Sequence, residues 1–329
     1  MQRAEGNAPR GELPQAPGRP GRFGTAGNFE AVLGPRLDPN SPRGYYVDLR
    51  PKAASHRTPP EWFAPDSPRP HVVLIQWALG CWERRLAGGD PRWTAAAVWA
   101  ADRLLEMQES EGPLEGGWAH RHPYKHTYRV DPPWLSGMAQ GQGASLLVRV
   151  AHESGEERYA DAARAALRPL GRTGPGGAAA RLAGGRVPEE YPTAPPSHVL
   201  NGAIYGLWGI RDVAVGLGDA EAASLADEGF AALAESLYRF DTGGWSRYDL
   251  FPHPTANVAS PMYHRLHVTQ LTATAALGAD RRYGETAERF AGYAGSMPRV
   301  AAAYARKAAF RLLVPRSARV ARSLPWTRR

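Results

Sequence analysis

Between residues 186 and 202 the chain reads RVPEEYPTAPPSHVLNG, placing Glu189, Glu190 and Tyr191 in succession among Pro188, Pro192, Pro195 and Pro196. Carboxyl and phenol are the weak acids of proton-transfer chemistry. Adjacent carboxylates are ordinarily a solvated pair, but prolines on both sides stiffen the backbone enough to hold side chains in a fixed place. Other segments add polar groups where a plain core helix would be apolar. In YHRLHVTQL, residues 263–271, Tyr263, His267 and Gln270 fall on one helical stripe. Ser197, Asn201 and Tyr205 repeat that spacing in SHVLNGAIYG, and SGMAQGQGASLL carries Gln140 and Gln142 where leucines would be expected. Polar stripes facing the interior of a helical ring suit a hydrated cleft for a hydroxyl-rich ligand; the plainer alternative is buried polar groups that satisfy loop backbone.

The elements that must carry these residues repeat. Four apolar helical pairs, at residues 71–107, 136–170, 197–238 and 261–297, are each split by a tight turn, GGD, SGE, GLGD or GAD, and turn aromatics such as Trp93, Tyr159 and Tyr283 mark a period of about sixty residues. Long connectors join one pair to the next. In a ring of α-hairpins such connectors all lie at one end, so residues 110–136, 171–197 and 239–260 should form a single rim. EGGWAHR and TGGWSRY within them read as Gly-Gly-Trp hairpins plugged by an aromatic ring. The fold expected is all-α, an α/α-toroid of about four hairpins at residues 71–297. It is preceded by a Pro/Gly/Arg-rich tail at residues 1–40 and an extended segment at 41–70 with a short strand at GYYVDLR. Residues 298–329 should form a basic amphipathic helix and tail, packed on the ring or docked on an anionic membrane.

The 329 residues can bury a sizeable core, and the prolines and glycines concentrate in the first seventy residues and the connectors. A net charge of +8 and a pI near 9.8 favour a polyanionic partner without choosing among nucleic acid, anionic lipid and acidic polysaccharide. The one cysteine, Cys81, excludes an internal disulfide framework and reads as a buried structural thiol. No secretion signal or membrane-spanning run is evident, which points to a cytoplasmic protein. The histidines of HRHPYKH, residues 120–126, are interleaved with Arg121 and Lys125, a setting that favours contact with a polyanion over a metal ion.

The order GMAQGQG-SLLVR, EEYPT-PPS-VLNG, WSRYDL and YHRLHVTQL resembles the C-terminal catalytic region of D-glucuronyl C5-epimerases, over roughly residues 130–295. That resemblance implies a helical toroid that takes glucuronate in a heparosan-type chain and inverts C5 to give iduronate, with no cofactor and no metal. It implies Glu190 and Tyr191 of EEYPT, Tyr248 of WSRYDL and Tyr263 of YHRLH as the proton-handling set. The partner implied is an acidic, glucuronate-containing polysaccharide rather than nucleic acid. Vertebrate-type members resemble YDLRH, whereas this chain reads YDLFPH, with Phe251 in place of an arginine. Arg247 and Arg265, with His264 or His267, are the local substitutes, and Asn201, Gln142, Glu189 and Trp134 join them as substrate-binding candidates. Vertebrate-type members also carry a large β-rich region ahead of the toroid. Here Tyr45 or Tyr46 would supply its equivalent, with the cleft otherwise more open or completed by a second subunit.

Inverting C5 means removing a proton α to a carboxylate, so the site must neutralise the uronate and place weak acids on both faces of the carbon. A polysaccharide lyase shares that first step and then expels the C4 substituent. A glycoside hydrolase would instead pair Glu190 with Asp241 or Asp249 across the glycosidic bond. A non-catalytic polyanion-binding protein would keep the rim for recognition alone.

Overall fold

A computed structural model describes residues 31–55, 69–123 and 127–315. Four α-hairpins follow one another: α2 (His71–Leu86) with α3 (Arg92–Met107), α4 (Gly137–Ser154) with α5 (Glu157–Leu167), α6 (Leu200–Leu217) with α7 (Ala220–Ser236), and α8 (Pro261–Ala276) with α9 (Arg282–Ala294). The first helix of each hairpin packs on the first helix of the next, α2 on α4, α4 on α6 and α6 on α8, while α3, α5, α7 and α9 lie outside. The result is the expected incomplete α/α-toroid. Burial separates the layers: every residue of α4 from Gly137 to Ala151 is buried, whereas α5 buries only its Tyr159, Ala160, Ala162, Ala163, Ala166 and Leu167 face.

Small residues let the inner backbones close up. Gly141 of α4 faces Gly206 and Gly209 of α6, and a Cβ on Gly209 would stand 2.0 Å from the Gly141 carbonyl oxygen. The far end of this pair is locked by Arg149 and Asp212, both fully buried, 2.7 Å apart. Asp212 also accepts from the Tyr46 hydroxyl at 2.6 Å, and Arg149 donates to the Gly44 carbonyl at 2.7 Å. Both charges thus have hydrogen-bond partners beyond each other, which offsets much of the cost of burying them. Cys81 is buried in α2, and burial raises its thiol pKa, in keeping with a structural thiol.

The N-terminal segment departs from expectation. GYYVDLR forms no strand; Val47 makes an isolated antiparallel bridge with Leu33, and the chain turns at Arg50 into a short helix, α1 (Arg50–Ser55), that packs on α2. Pro51 suits a first helical turn, and the Lys-Ala-Ala after it favours helix over the extended path expected there. Residues 31–40 are not tail either: the Ala31 carbonyl accepts from Thr269 at 2.8 Å and Gly34 N donates to the Tyr46 carbonyl at 2.9 Å. The rest of the expected tail, 1–30, and the linker from 56 to 68 lie outside the described residues. Tyr45 and Tyr46 do not reach the rim. Both are buried beneath it, Tyr45 stacked on Tyr205 and over the Arg149 guanidinium, Tyr46 on Trp208. They plug the ring from its far end instead of completing a cleft at its mouth.

The long connectors gather at the N-terminal ends of the inner helices. Trp118 and Trp245 plug their Gly-Gly-Trp hairpins, donating to the Leu104 and Ala259 carbonyls at 2.9 Å each. The second connector also contains an unanticipated antiparallel pair, β1 (Ala179–Leu182) and β2 (Gly185–Pro188), whose two-residue turn centres on Ala183-Gly184. The final helix, α10 (Met297–Leu313), packs on α8 and α9 and buries Ala303 and Phe310. Among the described residues no helix is long and apolar enough to cross a membrane.

Candidate functional site

Three connectors bring their aromatic residues together. Tyr128, Trp134, Tyr191, Val199, Tyr248 and Ala259 form one buried cluster, with Phe251 and Tyr263 packed against it. Ring centroids of Tyr191 lie 5.2 Å from Tyr128 and 5.8 Å from Trp134, and those of Tyr248 and Tyr263 are 5.1 Å apart, edge to face. The three phenols expected to handle protons therefore share one site.

Local backbone pairing explains the convergence. The segment carrying Tyr248 runs beside the entry to α6, with Leu200 N donating to the Tyr248 carbonyl and Leu250 N to the Ser197 carbonyl. Glu189 ties the EEYPT loop back on itself: its carboxylate accepts from Ser197 N (2.8 Å), Ser197 Oγ (3.0 Å) and His198 N (2.6 Å). A carboxylate so occupied positions a loop. Ser260 caps α8 by accepting from Tyr263 N, and Pro261 occupies its first turn, which fixes Tyr263 at the helix mouth.

Glu190 is buried just inside that mouth. Gly202 of α6 makes room for it, since a Cβ there would sit 2.6 Å from Glu190 Oε2. Burial pushes its carboxyl up to about 7, helped by the neighbouring Glu189 carboxylate and opposed by hydrogen bonds from Tyr191 and Asn201. A group titrating near neutrality can both accept and return a proton there. Beneath it Asn201 Oδ1, Tyr205 Oη, His267 Nε2 and Gln270 Oε1 are buried without hydrogen-bond partners among the described residues. The two polar stripes of α6 and α8 thus make a floor with capacity for ligand hydroxyls or water.

The positive charges sought from the sequence are not where it placed them. His264 and His267 share the Ser246 hydroxyl at 2.8 and 2.9 Å, and His264 also contacts the Phe290 carbonyl at 2.9 Å. Burial holds His264 at about 4 and His267 well below its usual value, so both are neutral at pH 7. Arg265 is exposed on the outer side of α8. Arg247 is half-buried, and alternation along its extended segment turns it to the face opposite Tyr248. Gln142 is engaged deeper in the ring, accepting from Gln76 and donating to the Tyr45 hydroxyl, each at 3.2 Å. Trp134 does join the cluster, stacked on His120, whose ring burial holds neutral at a pKa of about 3. Of HRHPYKH, residues 124–126 lie outside the described residues.

Two participants escaped the sequence reading. Tyr128 donates to Asp249, which also accepts from Asn257 and lies 3.3 Å from His253 Nε2. Asp249 Oδ2 thus holds the cluster while its Oδ1 is buried without a hydrogen-bond partner among the described residues, and Asp241 pairs with Arg289 on the outer side at 2.8 Å. Lys307 reaches in from α10, donating to Asn257 Oδ1 at 2.7 Å and the Val258 carbonyl at 2.9 Å. Its only sequence signal is position: Ala303, Lys307, Phe310 and Val314 follow one helical stripe, and Lys307 sits where an apolar residue is expected. A groove of about 1000 Å³ adjoins the cluster at Tyr128, Trp134 and Phe251, and runs past Arg129, Arg181 and Pro195.

Fold and site together define a helical toroid with a cluster of phenols and a buried carboxyl at its rim. A family model for the D-glucuronyl C5-epimerase C-terminus matches residues 112–292, and the chain belongs to that family. It is 34% identical to a D-glucuronyl C5-epimerase of Caenorhabditis elegans over 214 residues, 59% of this chain and 34% of that protein. An uncharacterised protein of Methanocaldococcus jannaschii is 26% identical over 152 residues, 44% of this chain and 47% of its own length. The chain thus matches about a third and about half of the lengths of these curated relatives. Among solved structures, an unsaturated glucuronyl hydrolase from Bacillus sp. GL1 aligns with a TM-score of 0.44 and 18% identity, over 71% of this chain and 61% of that one.

Proposed function

We propose that the protein inverts C5 of D-glucuronyl residues in an acidic polysaccharide, giving L-iduronyl residues by removal and return of one proton. The observation that supports this reading is the convergence of Tyr191, Tyr248 and Tyr263 in one buried aromatic cluster, with the buried Glu190 hydrogen-bonded to Tyr191. Proton exchange at a carbon needs a weak acid on each face. Tyr263 works on one face of C5 and the Glu190/Tyr191 pair on the other, with Tyr248 as proton relay or donor. A phenol is matched to reprotonating a carbanion, and Glu190 near neutrality is matched to accepting a proton. Asn201, Tyr205, His267 and Gln270 offer polar atoms to sugar hydroxyls, and the groove past Arg129 and Arg181 suits the flanking polymer.

The hydrolase alternative is less well supported, because Asp241 is paired with Arg289 and Asp249 Oδ2 is held by Tyr128 and Asn257. Solvent deuterium incorporation into a glucuronate-containing polymer, compared between wild type and Tyr263→Phe, tests the proposal. The wild type should label C5, and Tyr263→Phe should lose about 10²–10⁴-fold in rate with its fold intact. An ultraviolet-absorbing chain end would make the protein a lyase, and new reducing ends a hydrolase. A fully active Tyr263→Phe would remove Tyr263 from the mechanism.

A further inference from the structure

We propose that Lys307, carried into the site by the C-terminal helix α10, is the positioning cation for Tyr248, biasing that phenol toward giving up its proton. The inference rests on the reading of Tyr248 as a proton-handling group, and it concerns a residue outside the 112–292 stretch that the family model matches.

The Lys307 ammonium lies 5.3 Å from the centroid of the Tyr248 ring, within cation–π range. A phenolate delocalises its charge over the ring, so a cation at the ring face stabilises the ionised form more than the neutral one. Lys307 is also fixed. It donates to Asn257 Oδ1 and the Val258 carbonyl, Asn257 in turn accepts from Tyr248 N through its carbonyl at 2.7 Å, and the ammonium also lies 5.5 Å from the centroid of the Phe310 ring. One turn further on, Arg311 donates to Thr127 Oγ1 at 2.7 Å, which anchors α10 to the connector that carries Tyr128. Its helical stripe, Ala303, Phe310 and Val314, is otherwise apolar and buried, and the half-buried Lys307 among them is held by Asn257 Oδ1 and the Val258 carbonyl.

The other groups around Tyr248 cannot do this work. From α8 come Tyr263, at 5.1 Å, and the neutral His267; from the connector after Tyr248 come Asp249 and His253. From the remaining rim segments come Tyr128, Tyr191 and Glu190. Asp249 and an ionised Glu190 oppose a phenolate, whereas the Lys307 ammonium, placed over the ring, favours it.

The test is the titration of Tyr248 in the full chain by NMR of 13Cζ-labelled tyrosine, assigned with Tyr248→Phe, in wild type, Lys307→Gln and Lys307→Arg. A unit charge at this distance in a partly buried site is worth about one to two pH units. Tyr248 should therefore titrate about one to two pH units higher in Lys307→Gln, and Lys307→Arg should restore most of the difference. In deuterium exchange the limb of the pH profile set by Tyr248 should move up equally, and the plateau fall roughly three- to tenfold. Lys307→Met, which keeps an unbranched side chain, serves if the glutamine variant unfolds. An identical Tyr248 titration with and without the charge would overturn the proposal. The NMR titration needs no substrate, so a wild type that labels no polymer would defeat the proposed function while leaving Lys307 to be decided.

Discussion

Glu190→Gln offers a test in which stability and chemistry must move in opposite directions. In the folded protein the Glu190 carboxyl is raised from 4.5 to about 7, chiefly by burial, so the native state holds this proton more tightly than the unfolded chain does. Whatever the neutral carboxyl contributes is fully present below about pH 4.5 and is lost as pH rises through 7. A shift of this size corresponds to at most about 3 kcal/mol above pH 8, at 1.36 kcal/mol for each pH unit. Glutamine is nearly isosteric with the protonated acid and keeps an oxygen for Asn201 Nδ2, but cannot ionise. The variant should match wild type in thermal unfolding at pH 5 and exceed it at pH 8.5, by roughly 5–10 °C for a ring of this size. Its deuterium-exchange rate should meanwhile fall by about 10²–10⁴-fold. If the two proteins keep the same difference in melting temperature from pH 5 to 8.5, Glu190 does not change its charge there. The assignment of a neutral-range proton carrier would then be withdrawn.

Other consequences concern the scaffold. Asp212→Ala leaves Arg149 buried without its counter-charge and should cost about 3–5 kcal/mol, read as a large drop in chemical-denaturation midpoint. Gly209→Ala drives a methyl into the Gly141 carbonyl at 2.0 Å, a contact between two backbones that neither can yield cheaply; a loss of about 2 kcal/mol or more is expected, where Gly→Ala on an exposed helix would stabilise. The same denaturation curves, followed by tryptophan fluorescence, report both.

The helical ring was legible from amino-acid order because it rests on local signals. Apolar stripes of period 3.6, glycine at tight turns and long proline-rich connectors fix the number of hairpins and the end of the ring where the connectors meet. EEYPT, WSRYDL and YHRLH fell on that rim by connector length alone, and the three tyrosines do meet there. The N-terminal segment was misread because strand propensity in GYYVDLR is a weak preference, and packing of two tyrosines against Trp208, Arg149 and Asp212 overrode it. Charge was the other blind spot. Sequence supplies the titratable groups but not their burial, and burial is what leaves His264 and His267 neutral and brings Glu190 near 7. Lys307 lies about sixty residues from Tyr248 along the chain, on a helix whose basic character reads as surface. Periodicity along the chain could mark its stripe, but only the packing of α10 across the rim decided that its ammonium faces a phenol, because the field at a side chain depends on distance in space.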